Sequence, residues 1–189
     1  IRNHLLRLGW SHGDEEFIST EQAIEWFDVD GLGKSPSRFD FKKLDNVNGH
    51  YMRQSDDQTL LDLALPGLTT AASRDLEPVD IERLTSAMPA LKERAKSIPE
   101  LIENALFLTD SRHLTMDDKS ATAVAGDAPG LLAEISPLLA ALEDWTREAV
   151  DACVRQFATD RYIKFGVIAQ PLRAALTGRA KTPGIFDVL

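Results

Sequence analysis

Cysteine is almost absent from this chain: Cys153 stands alone among 189 residues, so no internal disulfide can form. Long apolar runs are missing as well. No stretch approaches the roughly 18 apolar residues that a membrane-spanning helix needs, and the N-terminus lacks the basic-then-apolar layout of a secretory signal. A soluble, cytoplasmic protein is the expectation. The four histidines, His4, His12, His50 and His113, have no His or Cys partner at the helical spacing common in zinc sites, which leaves metal binding without support. Neither a G-x-S-x-G elbow nor a glycine-rich dinucleotide fingerprint occurs, so an independent hydrolase has no motif to rest on.

Positive charge is also scarce. Lys and Arg total 21 against 30 Asp and Glu, a formal charge of −9. That argues at first sight against nucleic acid, because phosphate affinity comes from Lys and Arg releasing counterions. The distribution qualifies the total. Residues 161 to 181 carry Arg161, Lys164, Arg173, Arg179 and Lys181 with no acidic residue among them, a basic island on an acidic chain. On composition alone, the island is a solvated helix face and its exit loop.

What is present is helical periodicity, with 43% hydrophobic residues, enough for an ordinary core. Leu5, Leu6 and Leu8 open the chain, and Ala23, Ile24, Trp26 and Phe27 follow a Ser19-Thr20-Glu21-Gln22 capping box. From Asp40, Phe41, Leu44, Val47 and Tyr51 mark one amphipathic helix with a possible break at Gly49. The intervening DVDGLGKSPSR reads as a loop. Its GLGKS resembles the end of a phosphate-binding loop, but that pattern needs Gly where Asp28 stands and a preceding apolar strand.

The polar QSDDQ after Arg53 predicts a boundary, followed by a short helix with Leu60, Leu61, Leu63 and Leu65 ending at Pro66-Gly67. Further helices are marked by Ile81, Leu84 and Met88, then Leu91, then Leu101, Ile102, Ala105 and Leu106, with Pro89 and Pro99 at positions where helices can begin. The small, polar stretch from Thr109 to Gly130 is the best second boundary. Beyond it LLAEISPLLAAL, WTREAVDACVRQFATD and FGVIAQPLRAAL predict three helices, the last stopping at Gly178, with a final turn or helix beginning at Thr182. Trp10, Trp26, Trp145 and Cys153 are expected in the core. The predicted fold class is all-α, with room for short strands around Phe17-Ile18 or Val29.

Four segments carry a resemblance. RNHLLRLGWSHGDEE, SPSRFDFKKLDNVNGHYMR, LKERAKSIPELIENALFL and AQPLRAALTGRAKTPGIFDVL are similar to bacterial glutamyl-tRNA synthetases, class I enzymes. The HIGH-type and KMSKS-type signatures that serve ATP chemistry in that family do not occur, so the chain looks like a fragment lacking the catalytic domain. ATP and magnesium use would belong to the parent, with no cofactor in this chain. The resemblance implies a stem-contact domain over residues 1–53, a helical bundle over 54–108 and a helical cage over 109–189, the latter two binding the anticodon.

The same resemblance implies site residues. Thr182, Pro183 and Ile185 of TPGI line the pocket for the first anticodon base, and Arg173 reaches the middle uridine, with Gln170 one turn before it. Arg94 stands where an arginine favours cytosine at the third base; the competing assignment is a surface ion pair with Glu93 or Asp80. Arg161, Lys164, Arg179 and Lys181 would attract phosphates, while Arg38, Lys42 and Lys43 would touch the tRNA backbone near its inner corner. A guanidinium fork suits the Watson–Crick edge of a splayed base. The expected partner is glutamate tRNA, with no DNA and no membrane, and the chain a monomer. The alternative is a helical protein-interaction module of synthetase-like architecture without RNA binding.

Overall fold

The structure, a computed structural model, describes residues 1–34, 36–109 and 116–179. Short α1 (Arg2–Leu6) and α2 (Thr20–Trp26) precede α3 (Phe41–Gln54). Next come α4 (Asp57–Ala72), α5 (Pro78–Lys92) and α6 (Ile98–Ala105), the last running into a 3-10 turn over Leu106–Leu108. The remainder is α7 (Asp118–Ala123), α8 (Ala128–Ala140), α9 (Arg147–Asp160) and α10 (Phe165–Thr177). The fold is all-α, as the periodicity predicts, with no strand among the described residues.

Local chemistry explains most helix starts. Ser19 and Gln22 form the reciprocal capping box expected for α2. Asp40, Asp56, Ser97, Asp117 and Thr146 each accept a backbone N–H at the start of a helix. The predicted stop at Gly178 holds.

Three of the predicted breaks do not occur, two at prolines and one at a glycine. α4 continues through Pro66-Gly67 to Ala72, because Ala64 and Leu68 on either side are buried in a shared core and Gly67 lies hard against Ile102 of α6. Pro89 lies inside α5 rather than at a helix start, held by buried Met88 and Leu91. In both, burial of an apolar stripe outweighs the missing N–H of proline. Likewise α3 passes Gly49 unbroken, where that residue is buried against Lys96.

The segment around Phe17-Ile18 is not a strand. Buried Asn3 of α1 serves it instead, its Nδ2 donating to the Glu16 carbonyl (3.2 Å) and its Oδ1 accepting the Ile18 N–H (3.3 Å). The Tyr51 hydroxyl lies 3.1 Å from both Asn3 Oδ1 and the Ile18 carbonyl, tying the segment to α3. Among the described residues strand-like pairing is limited to one isolated antiparallel bridge, Trp10 to Leu32. There Gly31 passes over Trp10 so closely that a β-carbon would meet Nε1 at 2.6 Å. The glycine of GLGKS thus lets a loop cross an indole, a packing role and not a phosphate cradle.

Two cores organise the helices. One gathers Leu61, Leu68, Leu84, Met88 and Leu101 from α4, α5 and α6; the other gathers Ile135, Val154, Phe157, Ile168 and Leu172 from α8, α9 and α10. Cys153 is half-buried against the second, and burial pushes its thiol pKa up. Trp10 is buried as expected and Trp26 half-buried, but Trp145 is 54% exposed, ahead of α9 instead of on its inner face. α7 packs against α10, and the Asp117 N–H donates to the Gly178 carbonyl at 3.1 Å. Among the described residues no helix is long and apolar enough to cross a membrane.

One ion pair holds the first core shut. Buried Asp80 accepts from Arg74 Nη1 (2.7 Å) and from the Glu77 N–H (2.9 Å), while Arg74 Nη2 donates to the Thr109 carbonyl. The Arg74 guanidinium, aided by the Glu77 N–H and opposed by burial, holds the Asp80 carboxyl below the usual carboxylate range. Asp80→Asn is expected to cost about 1–3 kcal/mol near neutral pH, measured by urea unfolding. Because the folded-state pKa is depressed, this stabilisation is present above the unfolded carboxylate pKa and lost as pH falls through the folded one. The gap between parent and variant should therefore close below about pH 4. A gap constant from pH 7 to 2 would show that the charge of Asp80 does not contribute.

Candidate functional site

The residues predicted to read or grip RNA fall into separate groups. Arg94 sits on the turn just beyond α5, and Arg173 projects from α10. Nothing in the sequence links them, since they belong to helices built around different cores. In the fold they meet closely enough for charge to act between them. Burial, and after it the Arg94 charge, lowers the pKa of Arg173.

Among the described residues no carboxylate pairs with either guanidinium. Asp80, one candidate partner for Arg94, is engaged by Arg74, and neither Arg94 nor Arg173 makes an ion pair among the described residues. Arg173 Nε is buried and has no hydrogen-bond partner there. A guanidinium that has lost water without gaining an acceptor is costly to the fold. Gln170, one turn earlier on α10, is exposed. Two cations and an amide one turn from the second make a donor-rich surface that suits a ligand with acceptor atoms.

The basic island does not remain one patch. Arg161 and Lys164 precede α10, Arg179 follows it, and a 13-residue helix separates the two ends by about 20 Å. Arg161 pairs with Glu134 of α8. Arg179 lines a cleft with four carboxylates, Glu100, Glu103, Asp117 and Asp118, and one further cation, Lys119. Lys164 is exposed and makes no ion pair among the described residues. Thr182, Pro183, Ile185 and Lys181 lie outside the described residues.

In the N-terminal part, Arg38 and Lys43 line one cleft of about 210 Å³ together with His4, Arg7, Glu16, Ser37 and Asp40. Lys42 is exposed and not among its lining residues. Both acids are engaged: Glu16 pairs with Arg7 at 3.8 Å, and Asp40 caps α3 through the Lys42 and Lys43 N–H groups. A larger cavity of about 720 Å³ lies between α1 and α2, is mostly apolar, and contains none of the predicted site residues. Among the described residues no group of side chains could hold a metal ion.

Sequence reasoning passed over Tyr162. Its ring is 98% exposed on the turn between α9 and α10, at a positive φ of 55°. The legible signal was an aromatic residue in the charged sequence DRYIK.

Comparison with known proteins completes the picture. The chain is 54% identical over its whole length to Glutamate–tRNA ligase 2 of Rhizorhabdus wittichii and 51% identical to Glutamate–tRNA ligase 1 of Sphingopyxis alaskensis. It spans only about 40% of the length of these relatives. Its fold is that of part of a glutamate tRNA ligase from Elizabethkingia meningosepticum, solved in complex with its amino acid. The TM-score is 0.76 at 22% identity, over 100% of this chain and 37% of that one. A glutamate-tRNA synthetase from Elizabethkingia anophelis gives a TM-score of 0.74 at the same identity. Residues 59–189 match the family described as the anticodon binding domain. That match takes in α4 from Thr59 through α10, the second core and all of the first but Met52, with Arg94 and Arg173, and by it the chain belongs to the anticodon-binding domain family.

Proposed function

We propose that the chain is the tRNA-recognition part of a glutamate–tRNA ligase and binds the anticodon arm of glutamate tRNA. The observation that carries this reading is that Arg94 and Arg173, neither in an ion pair among the described residues, stand close enough for the Arg94 charge to act on the half-buried Arg173. Such a pair is unfavourable in the free protein and becomes favourable against a ligand rich in acceptors, which a splayed anticodon base and its phosphates provide. Arg173 and Gln170 take the middle base, Arg94 the third, and Thr182, Pro183 and Ile185 the first. Lys164, Arg38, Lys42 and Lys43 supply sequence-independent phosphate contacts. Arg161, Arg179 and Lys181 add to these, the first two less strongly because Glu134 and the α6–α7 carboxylates compete.

Ligation of glutamate belongs to the longer parent protein, which would supply the ATP and magnesium chemistry, act in the cytoplasm and work as a monomer. This chain alone should not activate glutamate. Filter or anisotropy binding at low salt tests the reading. Glutamate tRNA should bind more tightly than a version with a swapped anticodon by about tenfold for a base mismatch, on the scale known for nucleic-acid sites. Equal affinities would overturn the assignment of Arg173 and Arg94.

A further inference from the structure

We infer that Tyr162 is a stacking platform for an unpaired nucleobase of the bound tRNA, a proposal that rests on the RNA-binding reading above. The backbone comes first. After α9 the chain turns sharply, with the Tyr162 N–H donating to the Thr159 carbonyl and the Ile163 N–H to the Ala158 carbonyl, each at 3.0 Å. Closing that turn puts Tyr162 at φ 55°, the left-handed region where a β-carbon crowds its own backbone. Glycine is the residue this geometry favours.

Among the described residues the tyrosine gains no contact that offsets this cost. Its ring is 98% exposed, makes no ring contact among the described residues, and its hydroxyl forms no hydrogen bond there. A bulky residue kept at a strained position with no internal contact points to an external one. The turn also holds its place. Arg161 is tied to Glu134 on one side, and Ile163 packs on the second core on the other. The ring is thus presented to solvent on a rigid mount, at the start of the helix that carries Gln170 and Arg173.

The surroundings select the ligand. Along the chain the ring is flanked by Asp160, which accepts from Gln156 at 2.7 Å, and by Arg161 and Lys164, charged neighbours and not the apolar run that a protein-binding aromatic favours. Exposed aromatics beside cations are the sequence-tolerant means of holding single-stranded nucleic acid, since every base has a π-face. With Asp160 and Glu134 nearby, the ring and not phosphate attraction supplies the contact.

Binding of glutamate tRNA over a salt series, with thermal melting of each variant, tests this. Tyr162→Gly and Tyr162→Leu should each weaken binding by about tenfold, and Tyr162→Phe should retain it. The slope of log K against log salt should be unchanged in Tyr162→Gly, since no phosphate contact is removed, and shallower by about 0.7–0.9 in Lys164→Ala. Tyr162→Gly should also melt higher than the parent as the turn relaxes. Unchanged affinity in the glycine variant would overturn the stacking role and leave the anticodon reading standing. Full affinity in the leucine variant would overturn it in favour of a plain apolar contact, and a joint loss of affinity and melting temperature in favour of a structural one. If the parent chain itself showed no anticodon preference, the underlying reading would fall and this inference with it.

Discussion

Leu61→Ala is expected to lower the unfolding free energy by about 2–5 kcal/mol, while Leu63→Ala, two residues along the same helix, should cost less than about 0.5 kcal/mol. Leu61 is 1% exposed at the centre of the first core, and Leu63 is 58% exposed on the outer face of α4. Removing the Leu61 side chain loses its transfer free energy and leaves a cavity that tightly packed Leu84 and Leu101 can only partly fill. Nothing packs comparably around Leu63. Equilibrium urea unfolding followed by circular dichroism distinguishes the two. Similar losses at both positions would mean that α4 does not bury the face described here.

Arg173→Met is expected to separate binding from stability. Affinity for glutamate tRNA should fall by about tenfold or more, with loss of preference over the anticodon-swapped tRNA, while the chain unfolds at the same or higher denaturant concentration. The side chain has a buried Nε with no acceptor among the described residues and feels the charge of Arg94, so the free fold carries a penalty that methionine, of similar length, does not. The depressed pKa expresses the same penalty. The folded chain disfavours the charged form at every pH below the unfolded-state value, so no accessible pH window should remove the stability difference. Coupling between Arg173 and Arg94 is measurable by a double-mutant cycle, in which Arg94→Met should destabilise the chain less, or stabilise it more, in the parent than in the Arg173→Met background. A variant that binds tRNA as well as the parent would remove Arg173 from the interface.

The legible parts of the fold were those governed by neighbours along the chain. The Ser19 capping box, the start of α6 near Pro99 and the stop at Gly178 are local hydrogen-bond and backbone problems, and their residues announce them. Pro66 and Pro89 were misleading because their penalty is also local, whereas the compensation comes from Leu68, Met88 and Leu91 meeting residues far away in sequence. Phe17-Ile18 failed as a strand for a similar reason, its backbone groups being taken by the distant side chain of Asn3.

The site divides in the same way. Arg94, Gln170 and Arg173 were named from short segments, each without knowledge of the others. Their proximity is a tertiary fact, set by how the α4–α6 core and the α8–α10 core are joined. The basic island looked continuous because charge was counted along the chain, but α10 is a rod of about 20 Å that carries its two ends apart. Sequence by itself determined an all-helical chain, its caps and its synthetase-like wording, since these depend on residues within a turn or two of one another. Only the tertiary structure decided which leucines are buried, which cations are paired among the described residues, and that the charge of Arg94 acts on Arg173, because burial and electrostatics depend on distance through space.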